Sequence, residues 1–106
     1  EAVKRAGFAM QLKPGNEAEY KKRHDEIWPE LVKELQDAGV RDYVIYLDPR
    51  TLTLYASQKV TEHNTSDRLA EQEIVKKWWA YMADLMETNP DNSPKVYDLE
   101  EMFYID

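Results

Sequence analysis

The 106 residues carry a formal net charge of −7, with 42% apolar and 33% charged side chains, the composition of one folded domain, residues 1–106, rather than a disordered chain. The acidic balance excludes non-specific nucleic-acid binding, which needs a basic patch to release phosphate counterions; the one dense basic run, Lys21-Lys22-Arg23, is short and flanked by acids. Without cysteine there is no disulfide framework, thiolate metal site or cysteine nucleophile, which fits a cytoplasmic setting.

Glu1 in place of an initiator Met reads as a processed or trimmed start, and the residues after it show neither a signal peptide nor a membrane span. Residues 4–13 alternate: Ala6, Phe8, Met10 and Leu12 face one way and Gly7, Ala9 and Gln11 the other, as in a half-buried strand. Pro14-Gly15 breaks it, and Asn16 is placed to cap a helix whose first turn holds Glu17 and Glu19. The helical pattern runs to about residue 38, with a kink or restart at Pro29, which lacks an amide hydrogen and crowds the preceding turn. Leu31, Val32 and Leu35 form an apolar face, and Gly39 suits the C-terminal cap.

Residues 41–48 predict a second strand. Tyr43, Ile45 and Leu47 lie on one face and Val44 and Tyr46 on the other, so both faces are expected to be covered. Asp48-Pro49-Arg50-Thr51 is turn chemistry, and 52–60 returns as the third strand of a hairpin. After a polar loop at 62–67, a second helical region reaches about residue 87. Its apolar positions Val75, Trp78, Trp79, Met82, Leu85 and Met86 fit a helical period. Asn89-Pro90-Asp91-Asn92-Ser93-Pro94 cannot remain helical and reads as an ordered or functional loop, and 99–105 is the predicted last strand. The order βαββαβ gives an α+β, ferredoxin-like fold.

The stretch richest in chemistry is Tyr20-Lys21-Lys22-Arg23-His24-Asp25-Glu26-Ile27-Trp28. Residues four apart lie on one helix face, about 6 Å apart along the axis, so Tyr20, His24 and Trp28 would share a wall. Imidazole exchanges protons near neutral pH, and aromatic faces cover the apolar side of a small ligand. Trp28 sits at the expected bend, which makes it a packing residue behind the site rather than a third member. A lone helical histidine commonly serves structure alone; here its aromatic neighbour tips the reading toward proton transfer. Trp78 and Trp79 point about 100° apart on a helix, so one can enter the core while the other meets a cavity. His24 and His63 show no convergent metal spacing. The acidic pairs Asp25/Glu26 and Glu100/Glu101 read as solvated faces, and the three scattered glycines form no phosphate loop.

Taken with Phe8-Ala9-Met10-Gln11, Ile27-Trp28-Pro29-Glu30-Leu31, Tyr43-Val44-Ile45-Tyr46-Leu47-Asp48, Trp78-Trp79-Ala80-Tyr81-Met82, the 89–94 loop and Phe103-Tyr104, these residues give the chain its kinship. It resembles the L-rhamnose mutarotases over nearly its whole length. The resemblance implies a homodimer whose sheets pack face to face, a dimeric α+β barrel, with a small sugar as substrate and no metal or organic cofactor. It implies His24 as the catalytic acid, with Tyr20, Tyr43, Trp78 and Trp79 binding the sugar. Membrane and nucleic-acid partners are not expected. The chain departs most from the family between residues 61 and 75, away from these positions.

Interconverting pyranose anomers requires opening the ring to the aldehyde, so proton transfer is the whole task. The expectation is that His24 protonates the ring oxygen while a tyrosine or water handles the anomeric proton. The rival readings are a monooxygenase of the dimeric α+β barrel type, since one fold hosts many chemistries, and a non-enzymatic dimeric binding module.

Overall fold

The computed structural model describes residues 3–106, so the trimmed start at Glu1 lies outside the described residues. The opening alternation forms strand β1, Val3–Gln11. Gly15, at φ +86°, turns the chain into helix α1, Glu17–Asp25. Asn16 precedes that helix, but its side chain does not cap it. The Asn16 Nδ2 instead donates to the Leu85 carbonyl at 3.3 Å, tying the helix entry to the far end of the chain.

The break at Pro29 is a full restart. Helix α2, Pro29–Asp37, begins with Pro in its first turn, where the missing amide costs nothing. Gly39 follows at φ +93°, and a Cβ there would lie 2.5 Å from the Thr61 Oγ1, so only glycine permits the return. Strand β2, Val40–Asp48, and strand β3, Thr53–Thr61, form the expected hairpin. A short 3₁₀ turn, Ser66–Glu71, leads into helix α3, Glu73–Met82, and a second one, Ala83–Leu85, follows it.

Strand β4 is Tyr97–Leu99, earlier and shorter than the predicted 99–105. It pairs with Gly7–Ala9, where the sheet still offers a free edge. Beyond Leu99 the alternating tail finds no strand partner among the described residues, and Met102, Phe103 and Ile105 stand in solvent. Arg5 holds the tail instead: its Nε donates to Glu101 at 2.8 Å and its guanidinium lies over the Tyr104 ring.

The sheet order is β2-β3-β1-β4, with all neighbours antiparallel, which is the ferredoxin-like arrangement with its helices on one face. On that face Met10, Leu54 and Ala56 meet Leu31, Val75, Trp78 and Met82 to make the core. The opposite face departs from the expectation of double cover. Within one chain Tyr46 is 65% exposed and Tyr97 55%, because none of the described elements packs over them.

One irregularity in β2 lies beside the site. Arg41 pairs with Lys59 and Val44 with Ser57, so Asp42 and Tyr43 together oppose one residue. Asp42 absorbs the bulge at φ +47°. The extra residue puts Arg41 on the face shared by Val44, the re-aiming that bulges provide, while Tyr43 keeps the helix-facing side that alternation gives it with Ile45 and Leu47.

Candidate active site

Between the sheet and the helices lies a cavity of about 610 Å³, within the range of roughly 300–1,000 Å³ common for small-molecule sites. Its floor is apolar, from Met10 and Leu54 of the sheet, from Leu12 and Met86, which pair just beyond β1, and from Met82. All five residues given a site role from sequence line this one space: Tyr20 and His24 from α1, Tyr43 from the β2 bulge, and Trp78 and Trp79 from α3.

The helix spacing places Tyr20 and His24 face to face, with ring centroids 4.4 Å apart and stacked. Trp78 meets the imidazole edge-on at 5.3 Å, so the histidine is held on two sides by aromatic surface. Its Nδ1 lies 3.1 Å from the Tyr20 backbone carbonyl. A carbonyl oxygen can only accept, so Nδ1 carries the hydrogen, and in the neutral ring Nε2 keeps its lone pair. Desolvation is the dominant influence and lowers the imidazole below its ordinary value. The Tyr20 carbonyl and nearby Asp25 oppose it only in part. His24 therefore rests as a neutral imidazole, a base at Nε2.

The tyrosines shift the other way. Burial raises Tyr20 beyond the usual phenol range, with a smaller contribution from Tyr43. Tyr43 borders the cavity and is still 41% exposed to solvent there, yet desolvation pushes its phenol up to about 12. Both are neutral hydroxyls at physiological pH, suited to hydrogen bonding rather than to removing a proton.

Trp28 does not line the cavity. It packs edge-on against Trp78 at 5.1 Å and stacks on Tyr81 at 5.5 Å, backing the wall as its position before Pro29 implied. Arg23, next to His24, anchors α1 to the end of α3. It donates to Glu19 at 2.8 Å, to Asp84 at 3.0 Å and to the Tyr81 carbonyl at 2.6 Å, with its guanidinium over the Tyr81 ring. This clamp fixes the helix that presents the histidine.

The sequence reading overlooked Glu17, Lys21 and Asn92, which also border the cavity. Glu17 and Lys21 had a visible signal, since 17, 21 and 24 recur at helical spacing on the His24 face. Asn92 had none beyond its loop motif. Among the described residues no three His, Cys, Asp or Glu side chains gather as metal ligands would, and no helix is long and apolar enough to cross a membrane.

The L-rhamnose mutarotase family model matches residues 5–105. The L-rhamnose mutarotase of Bacteroides thetaiotaomicron is 55% identical over 104 residues, covering 98% of this chain and all of that protein. The one from Formosa agariphila is 52% identical with the same coverage. A crystal structure of L-rhamnose mutarotase from Formosa agariphila superposes with a TM-score of 0.90 at 50% identity, covering 97% of this chain and 99% of that one.

Proposed function

The chain belongs to the L-rhamnose mutarotase family, and from that premise we propose that it interconverts the α and β pyranose anomers of L-rhamnose, with His24 as the proton-transfer group. The single observation that carries this reading is the His24 imidazole itself: pinned at Nδ1, flanked by Tyr20 and Trp78, and bordering a cavity of monosaccharide scale.

The bond changes balance with one nitrogen. Nε2 takes the proton from the anomeric hydroxyl, the C1–ring-oxygen bond breaks as the aldehyde forms, and the resulting imidazolium gives a proton to the ring oxygen. Both oxygens are bonded to C1, so one side chain reaches each in turn. Rotation about C1–C2 and the reverse sequence close the ring on the other face. His24 thus ends the forward step as an acid, as the family role implies, but begins it as a base. This replaces the tyrosine or water expected to take the anomeric proton: Tyr20 and Tyr43 are both raised, and the free Nε2 makes a separate water unnecessary. Their hydroxyls bind and orient the sugar instead, with an indole of Trp78 or Trp79 against its apolar face and methyl group.

The open sheet face supports the second half of the reading, a homodimer. Val44, Tyr46, Tyr55, Tyr97 and Leu99 present apolar and aromatic surface that one chain leaves in water. Burying it against a second copy supplies the cover that the alternation in β2 asks for.

Magnetisation-transfer NMR on equilibrated L-rhamnose tests the activity. The protein is expected to accelerate exchange between the two anomeric proton signals, and His24→Ala to lose about 10²–10⁴-fold of that acceleration. An unchanged rate in His24→Ala would remove the histidine from the mechanism. Exchange no faster than in buffer would remove the activity, and a haem-dependent colour change would then favour the monooxygenase reading.

A further inference from the structure

The loop that sequence singled out at 89–94 has no part in the proton transfer, yet its tip reaches the site. Thr88 and Pro94 pair as an antiparallel bridge that closes it. Inside, the Asn89 amide nitrogen donates to the Ser93 carbonyl at 2.8 Å, the Asn92 amide nitrogen to the Asn89 carbonyl at 2.9 Å, and the Ser93 amide nitrogen to the Asp91 carboxylate at 3.0 Å. The Asn89 side chain donates to the Ser93 hydroxyl at 3.0 Å. The side chains of Asn89, Asp91 and Ser93 are thereby spent on the loop itself. Asn92 differs. It is exposed, it borders the cavity, and among the described residues no hydrogen bond occupies its carboxamide.

We propose that the Asn92 carboxamide is a sugar-binding group that recognises ring hydroxyls of the substrate away from the anomeric centre. The inference rests on the mutarotase reading and deepens it. A pyranose presents neighbouring hydroxyls that each donate and accept. Tyr20 and Tyr43 each donate once and accept, the two indoles only donate, the Glu17 carboxylate supplies acceptors at one edge, and the His24 nitrogen is engaged at the anomeric carbon. The polar residues lining the cavity include one carboxamide, Asn92, which offers an acceptor and two donors on a single plane. The Nζ of Lys21, by contrast, is held by Asp25 at 2.6 Å. The loop's internal bonds hold the Asn92 backbone at the cavity in advance, so binding has only the short side chain left to order.

The backbone supplies a competing explanation and also the means to separate it. Asn92 sits at φ +72°, a conformation that asparagine tolerates, so the residue could serve the turn alone. Glycine adopts that φ without strain. Asn92→Gly therefore keeps the turn and removes only the carboxamide, with the melting temperature as the check on the fold.

The experiment measures exchange kinetics of the parent and Asn92→Gly by magnetisation transfer, with L-rhamnose and its 2-, 3- and 4-deoxy analogues, and sugar Kd from tryptophan fluorescence. The inference expects KM and Kd for L-rhamnose to rise about tenfold with kcat within about twofold, as for a contact made equally in ground and transition states. It also expects that difference to collapse for at least one deoxy analogue, the one missing the hydroxyl that the amide binds. A KM and Kd within about twofold of the parent, or an equal rise for every analogue, would overturn it. If the parent does not accelerate exchange, the mutarotase reading fails separately, and the Kd comparison still decides the role of Asn92.

Discussion

The two faces of the sheet are built from the same alternating strands and end in opposite situations. On one, Tyr43, Ile45 and Leu47 lie beneath the chain's own helices and border the cavity; on the other, Tyr46 of the same strand faces outward. The difference shows that alternation reports demand for cover but not its source. Helices of the same chain meet that demand on the first face, at the price of a packing gap that polar aromatics line. A second copy is proposed to meet it on the other.

Substitutions that act on one face and spare the other break or sharpen this comparison. The largest effect is expected from His24→Ala, which loses about 10²–10⁴-fold in anomer exchange while sedimentation still reports a mass near twice the 12.5 kDa chain. Trp78→Ala removes a side chain that belongs to core and cavity wall alike, and denaturant unfolding should register about 3–5 kcal/mol of lost stability. On the open face, Tyr46→Asp buries an unpaired charge in the proposed interface. It should weaken dimerisation by roughly a hundredfold in sedimentation equilibrium while leaving the sugar-dependent tryptophan fluorescence in place. A monomeric parent would break the comparison outright. The smallest effect belongs to Trp28→Phe, which keeps an aromatic behind Trp78. It should cost less than about 1.5 kcal/mol and leave the exchange rate within a few-fold.

What the sequence made legible follows from how local each cause is. Tyr20 and His24 were readable as a pair because one helical turn joins them, and the restart before Pro29 because proline acts within a single turn. The strand and helix order is likewise set by short-range patterns. The bulge at Asp42 was not readable, since it exists only in the register against β3. The end of β4 was misjudged for a similar reason. The tail alternates as a strand should, but its backbone pairing with β1 ends at Gly7 and Leu99, and beyond that point Arg5 holds Glu101 and Tyr104 by side-chain contacts that no alternation announces. Asn92 was hidden because its cavity position depends on a loop closed by contacts between Thr88 and Pro94 and on a helix far away in sequence.

The resting state of His24 is the point on which the mechanism turns, and the pH dependence of kcat/KM for L-rhamnose exchange tests it most directly. A histidine lowered below its ordinary value of 6.5 is neutral at and above neutral pH and loses its free Nε2 only as pH falls through the lowered pKa. The mechanism therefore predicts a profile flat from about pH 7 to 9, falling on the acid side with a midpoint below 6.5. A rate that instead declines as pH rises through neutrality would mean that the protonated ring is the starting form, and would contradict it.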